Sequence, residues 1–145
     1  MSITSTVRSI MHKAVSTDVG TSVSEATKIM TGEDVGSILI LKNGAPVGIV
    51  TERDVLRKVV APGLNPIQVS VKDVMSSPLI TISSDAGIAE ALRTMSDKNI
   101  RRLLVTDDGK IIGVVTEMNL LKAIRDTYAD LLTVIMEALK PLGKK

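Results

Sequence analysis

Thr51 and Asp54 set a hydroxyl and a carboxylate three residues apart, where an apolar strand gives way to a helix. Groups so placed can hydrogen-bond a polar ligand, or they can close the first turn of the helix as a capping box. Glu or Gln usually fills the third helical position of such a box, and Asp is short for that reach. The arrangement recurs at Thr116 and Asn119, now with an amide in place of the acid. Arg101 and Arg102 stand together at the entrance to another apolar run. Adjacent strand residues point to opposite faces, so only one of the two, assigned as Arg102, is expected to face any given ligand. His12 is the sole histidine and has no partner nearby in sequence, so it reads as surface. Asp107 and Asp108 offer oxygen ligands but fall in a turn, where Asp favours local hydrogen bonds. The sequence has no nucleophile–base pair, no cluster of metal ligands and no Gly-x-x-x-x-Gly-Lys loop, so catalysis is not expected.

These residues sit at matching places in a duplicated unit. Val7-Arg8-Ser9-Ile10-Met11 returns as Val71-Lys72-Asp73-Val74-Met75, 64 residues on. Val23 to Arg57 then aligns without a gap on Ile88 to Lys122, with ten identities in 35 positions. Chance would give about two or three.

Each copy has the same plan. Ser22-x-x-Glu25 has capping spacing and leads into Val23, Ala26, Ile29 and Met30, an apolar stripe of helical period. The counterpart begins near Asp85 and runs Ile88, Ala91, Leu92, Met95. Ile38 to Leu41 and Val47 to Val50 flank Asn43-Gly44, a strong hairpin signal because both turn residues tolerate positive φ. Leu103 to Val105 and Ile111 to Val115 flank Asp108-Gly109 likewise. Short strands are expected at 15–17 and 79–82, a helix from Thr51 to about Val60, and a turn of helix at Val7 and at Val71. Ala61-Pro62-Gly63-Leu64-Asn65-Pro66 marks the joint. From Thr116 no Gly or Pro intervenes until Pro141, which predicts one helix of about 35 Å to Lys140. Leu131, Leu132, Ile135, Met136 and Leu139 stripe its end.

Composition narrows the partners. A net charge of +2 over 145 residues is no polybasic surface, which argues against nucleic acid or anionic membrane as the main ligand. Tyr128 is the lone aromatic, so bases have no rings to stack on. No apolar run reaches the ~18 residues of a membrane span, the first residues do not read as a signal peptide, and the absence of cysteine suits a cytoplasmic protein.

Gly48-Ile49-Val50-Thr51-Glu52-Arg53-Asp54 and Gly113-Val114-Val115-Thr116-Glu117-Met118-Asn119 resemble the Gly-hydrophobic-x-Thr/Ser-x-x-Asp/Asn signature of CBS domains. The opening Val-x-x-x-Met, the Pro78-Leu79-Ile80-Thr81-Ile82 segment and the run from Asn99 to Val105 agree, and the likeness covers about residues 5 to 125. The resemblance implies an α+β fold of two pseudo-symmetric βαββα repeats packed sheet to sheet, with an extended C-terminal helix. The division expected is a first repeat at 1–62, a second at 63–125 and a tail at 126–145.

The resemblance further implies a regulatory module that binds AMP, ADP, ATP or another adenosyl ligand in clefts between the repeats. The main cleft would combine Val50, Thr51, Arg53 and Asp54 with Leu79, Ile80, Arg101, Arg102 and Leu104. Asp54 would take the ribose hydroxyls, Thr51 and the arginines the phosphate, and aliphatic side chains the adenine. The second cleft would combine Thr116 and Asn119 with Val15, Ser16, Gly36 and Ser37. It is expected to bind weakly, because Asn119 lacks the carboxylate charge and Gly36-Ser37 stand where the first has arginines. Ligand would act by population shift, changing repeat or dimer geometry. A homodimer and an unidentified regulated protein are the expected partners, with no catalytic cofactor and no metal. The competing reading is a ligand-free dimerisation scaffold that acts through the C-terminal stripe.

Overall fold

The computed structural model describes residues 5–139. It contains two three-stranded sheets of identical plan. In the first, β1 (Ser16–Asp18) runs parallel to β2 (Ser37–Lys42), and β2 pairs antiparallel with β3 (Ala45–Thr51). In the second, β4 (Thr81–Ser83), β5 (Arg102–Asp107) and β6 (Lys110–Thr116) repeat that order. Both hairpins turn where the sequence places them, with Asn43 and Gly44 at φ 52° and 79° and Asp108 and Gly109 at 49° and 74°. Positive φ at both central positions is the type I′ pattern, whose twist matches that of the strands it joins.

The connection from the first to the second strand of each sheet is a helix. α1 (Val23–Glu33) starts at Ser22, whose hydroxyl accepts the Glu25 N–H, and it buries Val23, Ala26 and Met30. α4 (Ile88–Lys98) buries Ile88, Ala91 and Met95 at the corresponding positions. Each ends on a left-handed residue, Asp34 at φ 55° and Asn99 at φ 51°, short polar side chains that tolerate this region.

After β3 the chain makes α2 (Glu52–Val55) and continues through a π-helical turn at Leu56–Val60. The wider turn keeps Val59 at 1% exposure while Leu56 and Val60 stay exposed. α3 (Val71–Val74) follows the joint. After β6 comes α5 (Glu117–Leu139), 23 residues, about 34 Å at 1.5 Å each. The expected end at Lys140 lies outside the described residues.

The compact units are cut differently from the sequence repeats. One comprises residues 14–80, the other joins the segment up to Lys13 with residues from Thr81 onward. Each opening turn therefore packs with the body that the other sequence repeat supplies. In the 14–80 unit, Val71 and Val74 belong to one apolar cluster with Val23, Ala26, Ile38, Val50 and Val59. In the other unit the turn at Val7–Ser9 is anchored by Val7 N–H to the Ala86 carbonyl at 2.8 Å. Arg8 there bonds Ser84 Oγ at 2.9 Å and Asp107 at 2.8 Å. The Asp107 hydrogen bond and charge hold the Arg8 pKa above its ordinary value. The turn at 107–108 thus spends one of its acids on an arginine 99 positions away rather than on local backbone.

Candidate functional site

The segment that follows each opening turn closes the free edge of a hairpin. Ser76 exchanges backbone hydrogen bonds with Ile49 of β3, and His12 does the same with Val114 of β6. The preceding methionines explain two glycines that the sequence left open between strand bend and ligand contact. A Cβ on Gly48 would lie 2.8 Å from Met75 Cγ and closer still to its sulfur. A Cβ on Gly113 would lie 2.6 Å from Met11 Sδ and 2.9 Å from the His12 carbonyl. Glycine is needed at both places so that Met75 and Met11 can cross the strand.

This delivers Ser76 and His12 beside the repeated Thr-x-x-Asp/Asn. Asp54 is 8% exposed and its carboxylate is fully engaged. Oδ2 accepts the Thr51 N–H at 2.9 Å and the Thr51 hydroxyl at 3.1 Å, and Thr51 Oγ1 accepts the Asp54 N–H at 3.2 Å. Asp does span the capping box, contrary to the expectation that it is too short. Oδ1 accepts the Ser76 hydroxyl at 3.3 Å and lies 3.1 Å from Lys58 Nζ, which also donates to the Val74 carbonyl at 2.8 Å. Four donors use the capacity of a carboxylate. The Thr51 proton is turned to Asp54, not outward.

Asn119 is the counterpart with different partners. Its Oδ1 accepts the Thr116 N–H at 2.9 Å, and Thr116 Oγ1 accepts the Asn119 N–H at 3.1 Å. His12 Nδ1 is 3.2 Å from the same Oδ1. An oxygen already accepting from a backbone N–H can only accept again, so His12 Nδ1 carries the hydrogen. His12 is therefore half-buried and bonded, not the free surface residue expected. Lys58 has Ala123 as its counterpart. An acid at 119 would lack the cation that Asp54 has, which gives the amide a physical reason.

The remaining residues singled out by sequence divide between the units. Val50, Thr51, Arg53, Asp54, Leu79 and Ile80 lie in the 14–80 unit, as do Val15, Ser16, Gly36 and Ser37. Arg101, Arg102, Leu104, Thr116 and Asn119 lie in the other. Ser37 is buried and pairs with Thr51 across β2 and β3, and Arg102 pairs with Thr116 across β5 and β6. Val50 and Leu104 are core, at 0% and 2% exposure. Arg53 and Arg101 are exposed, while Leu79 and Ile80 are half-buried. Gly36 lines a cavity of about 410 Å³ with Met30, Asp34, Glu52 and Val55, and neither Thr51 nor Asp54 reaches it. No group of three His, Asp or Glu side chains among the described residues is placed to hold a metal, and no described helix is long and apolar enough to cross a membrane.

Residues 7–61 and 71–126 each match the CBS domain family. The chain belongs to it. A CBS domain-containing protein of Bacillus subtilis, YhcV, is 30% identical over 112 residues, 77% of this chain and 79% of the relative. An uncharacterized protein of Methanopyrus kandleri is 45% identical over 95 residues, 64% of this chain but 48% of its own length. The chain likewise spans 62% of a Methanocaldococcus jannaschii relative, so these curated relatives are substantially longer. Among solved structures, an uncharacterized conserved protein from Pyrococcus horikoshii superposes with TM-score 0.78 at 34% identity, covering 86% of this chain and 96% of that one. A conserved CBS domain protein of unknown function from Thermoplasma acidophilum gives 0.75 at 26% identity, with 88% and 74% covered. The α+β fold of tandem βαββα repeats with a long C-terminal helix is thus shown, and the two CBS repeats differ at the Asp54 and Asn119 positions and their partners.

Sequence reasoning missed Ser76, Lys58 and His12. Lys58 had a signal, since it lies four residues after Asp54 on the same helix face. Ser76 and His12 had none, because each reaches its partner only through the exchanged opening turn.

Proposed function

We propose that this tandem CBS chain is a non-catalytic regulatory module that binds an adenine nucleotide or related adenosyl ligand, and that Asp54 is its ribose anchor. The observation that carries the reading is the arrangement at Asp54 Oδ1. Its two partners there are Ser76, which is exposed, and Lys58, whose side chain is 43% exposed. Both can be exchanged for a ribose diol while Oδ2 keeps the Thr51 cap. The displaced Lys58 ammonium then becomes available to an anion, beside the phosphate role assigned to Arg101 and Arg102. Thr51 can turn its hydroxyl proton outward, because Oδ2 retains the backbone N–H. Leu79 and Ile80, both half-buried, supply aliphatic surface for adenine in a chain without Trp or Phe, whereas the Val50 and Leu104 side chains are core. The second residue set, Val15, Ser16, Gly36 and Ser37 with Thr116 and Asn119, is the weaker binder in this reading, since Asn119 has no charge and His12 already holds its oxygen.

The module works as a homodimer and passes ligand state to a regulated protein by shifting populations, to the extent that the ligand prefers one conformation. Calorimetric titration of the purified chain with AMP, ADP and ATP tests the reading. Saturable heat is the expected result. Absence of heat and of any thermal shift with all three would leave the scaffold reading, which the exposed apolar end of α5 favours. Ultraviolet absorbance near 260 nm in fresh preparations is a second readout, because Tyr128 contributes little at 280 nm.

A further inference from the structure

Asp54 and Asn119 cap the same turn in the two repeats, but Lys58 attends the first and Ala123 stands in its place in the second. Lys58 Nζ lies 3.1 Å from Asp54 Oδ1 and donates to the Val74 carbonyl at 2.8 Å. The cap itself does not need the lysine, since Asn119 closes its turn without one.

The backbone is adjusted to put the ammonium there. In α5 burial falls on Leu120 and Ala123, three residues apart. In the first repeat it falls on half-buried Val55 and buried Val59, four apart. The extra residue is taken up by the π-helical turn, closed by the Ala61 N–H on the Leu56 carbonyl at 2.9 Å. Val59 thus takes the core place that Ala123 fills in α5, and the Lys58 side chain is left 43% exposed over the acid. Single π-helical turns of this kind often mark functional positions. Ser76, two residues beyond Val74, donates to the same Oδ1 at 3.3 Å. Lys58 and Ser76 therefore fill the two places that a ribose diol would need.

We infer that Lys58 is a latch on the sugar-binding oxygen of Asp54, which ligand must displace, and that the displaced ammonium selects adenosyl ligands carrying phosphate over uncharged ones. This rests on the ribose role proposed for Asp54 and adds the class of ligand that the site takes. An ion pair as exposed as this favours its closed form by about two- to fivefold, so the latch raises every dissociation constant about three- to sixfold. Once displaced, the ammonium is still tethered four residues from Asp54. It lies within the ~8 Å over which charges act at physiological salt, so it favours phosphate without having to touch it.

Titration of the full chain with adenosine, AMP and ATP, wild type against Lys58→Met, tests the latch, with melting curves as the control for folding. Methionine keeps the length of the stem and removes the charge. Adenosine should bind the variant about three- to sixfold more tightly. AMP and ATP should gain less or lose affinity, so the preference for ATP over adenosine falls. Lys58→Arg keeps the charge and should keep the wild-type order. The gain for adenosine separates Lys58 from Arg101 and Arg102, whose loss should leave adenosine unaffected. Adenosine binding that is unchanged or weaker in Lys58→Met would overturn the latch while the adenosyl reading stands. Equal gains for all three ligands would overturn the selection of phosphate. A wild type that binds none of the three would overturn the adenosyl reading, and the latch with it.

Discussion

Asn119 Oδ1 lies 3.2 Å from His12 Nδ1 while it caps α5 through the Thr116 N–H. The same atom ties the opening segment of the chain to the start of its last helix. Replacing His12 by Ala removes one hydrogen bond and leaves the cap, which costs about 1 kcal/mol. Urea unfolding should show a lower midpoint with an unchanged slope. An unaltered midpoint would mean that the histidine contributes nothing.

Met75 crossing Gly48 makes a sharper case. Gly48→Ala forces the methionine aside in a packed region, and overpacking of this kind costs about 1–3 kcal/mol. Met75→Ala leaves a gap of its own, but the double variant Gly48→Ala/Met75→Ala relieves the collision. A double-mutant cycle should therefore show favourable coupling between the two changes. Additive losses would show that the alanine is accommodated without the methionine.

Much of the fold was legible before any coordinate. Hairpin turns, helix stripes and the duplication follow from local rules: positive φ at Asn43-Gly44, periodic burial at Val23, Ala26 and Met30, and matched spacing. The exchange of opening turns was not legible, because Val7–Met11 and Val71–Met75 carry the same apolar pattern and either body can receive either. From that one ambiguity came the misreading of His12 as free surface. The doubt over Gly48 and Gly113 has the same origin. The pair Thr51–Asp54 was legible as a constellation. Its Lys58 partner was legible from the i, i+4 spacing, whereas Ser76 depended on where α3 ends, which spacing does not encode.

The phosphate assignment has its own test. Arg102→Ala should weaken AMP and ATP about tenfold or more, as expected for a lost charge-assisted contact, and leave adenosine unchanged. Competition titration with all three ligands measures it. Equal losses for adenosine and the nucleotides would assign Arg102 a structural part instead.

Asp54 carries the central claim, and the molecule itself suggests how to probe it without breaking the helix. Asn119 shows that an amide caps the same turn, so Asp54→Asn should retain folding. Asp54→Ala should lose about 0.5–2 kcal/mol with the cap. Isothermal titration of ATP into wild type and Asp54→Asn, alongside their melting curves, is the most direct measurement. Affinity should fall about tenfold, roughly 1.4 kcal/mol, with melting little changed. Equal affinity in the two proteins, or a fall in melting temperature with affinity intact, would make Asp54 a cap and nothing more.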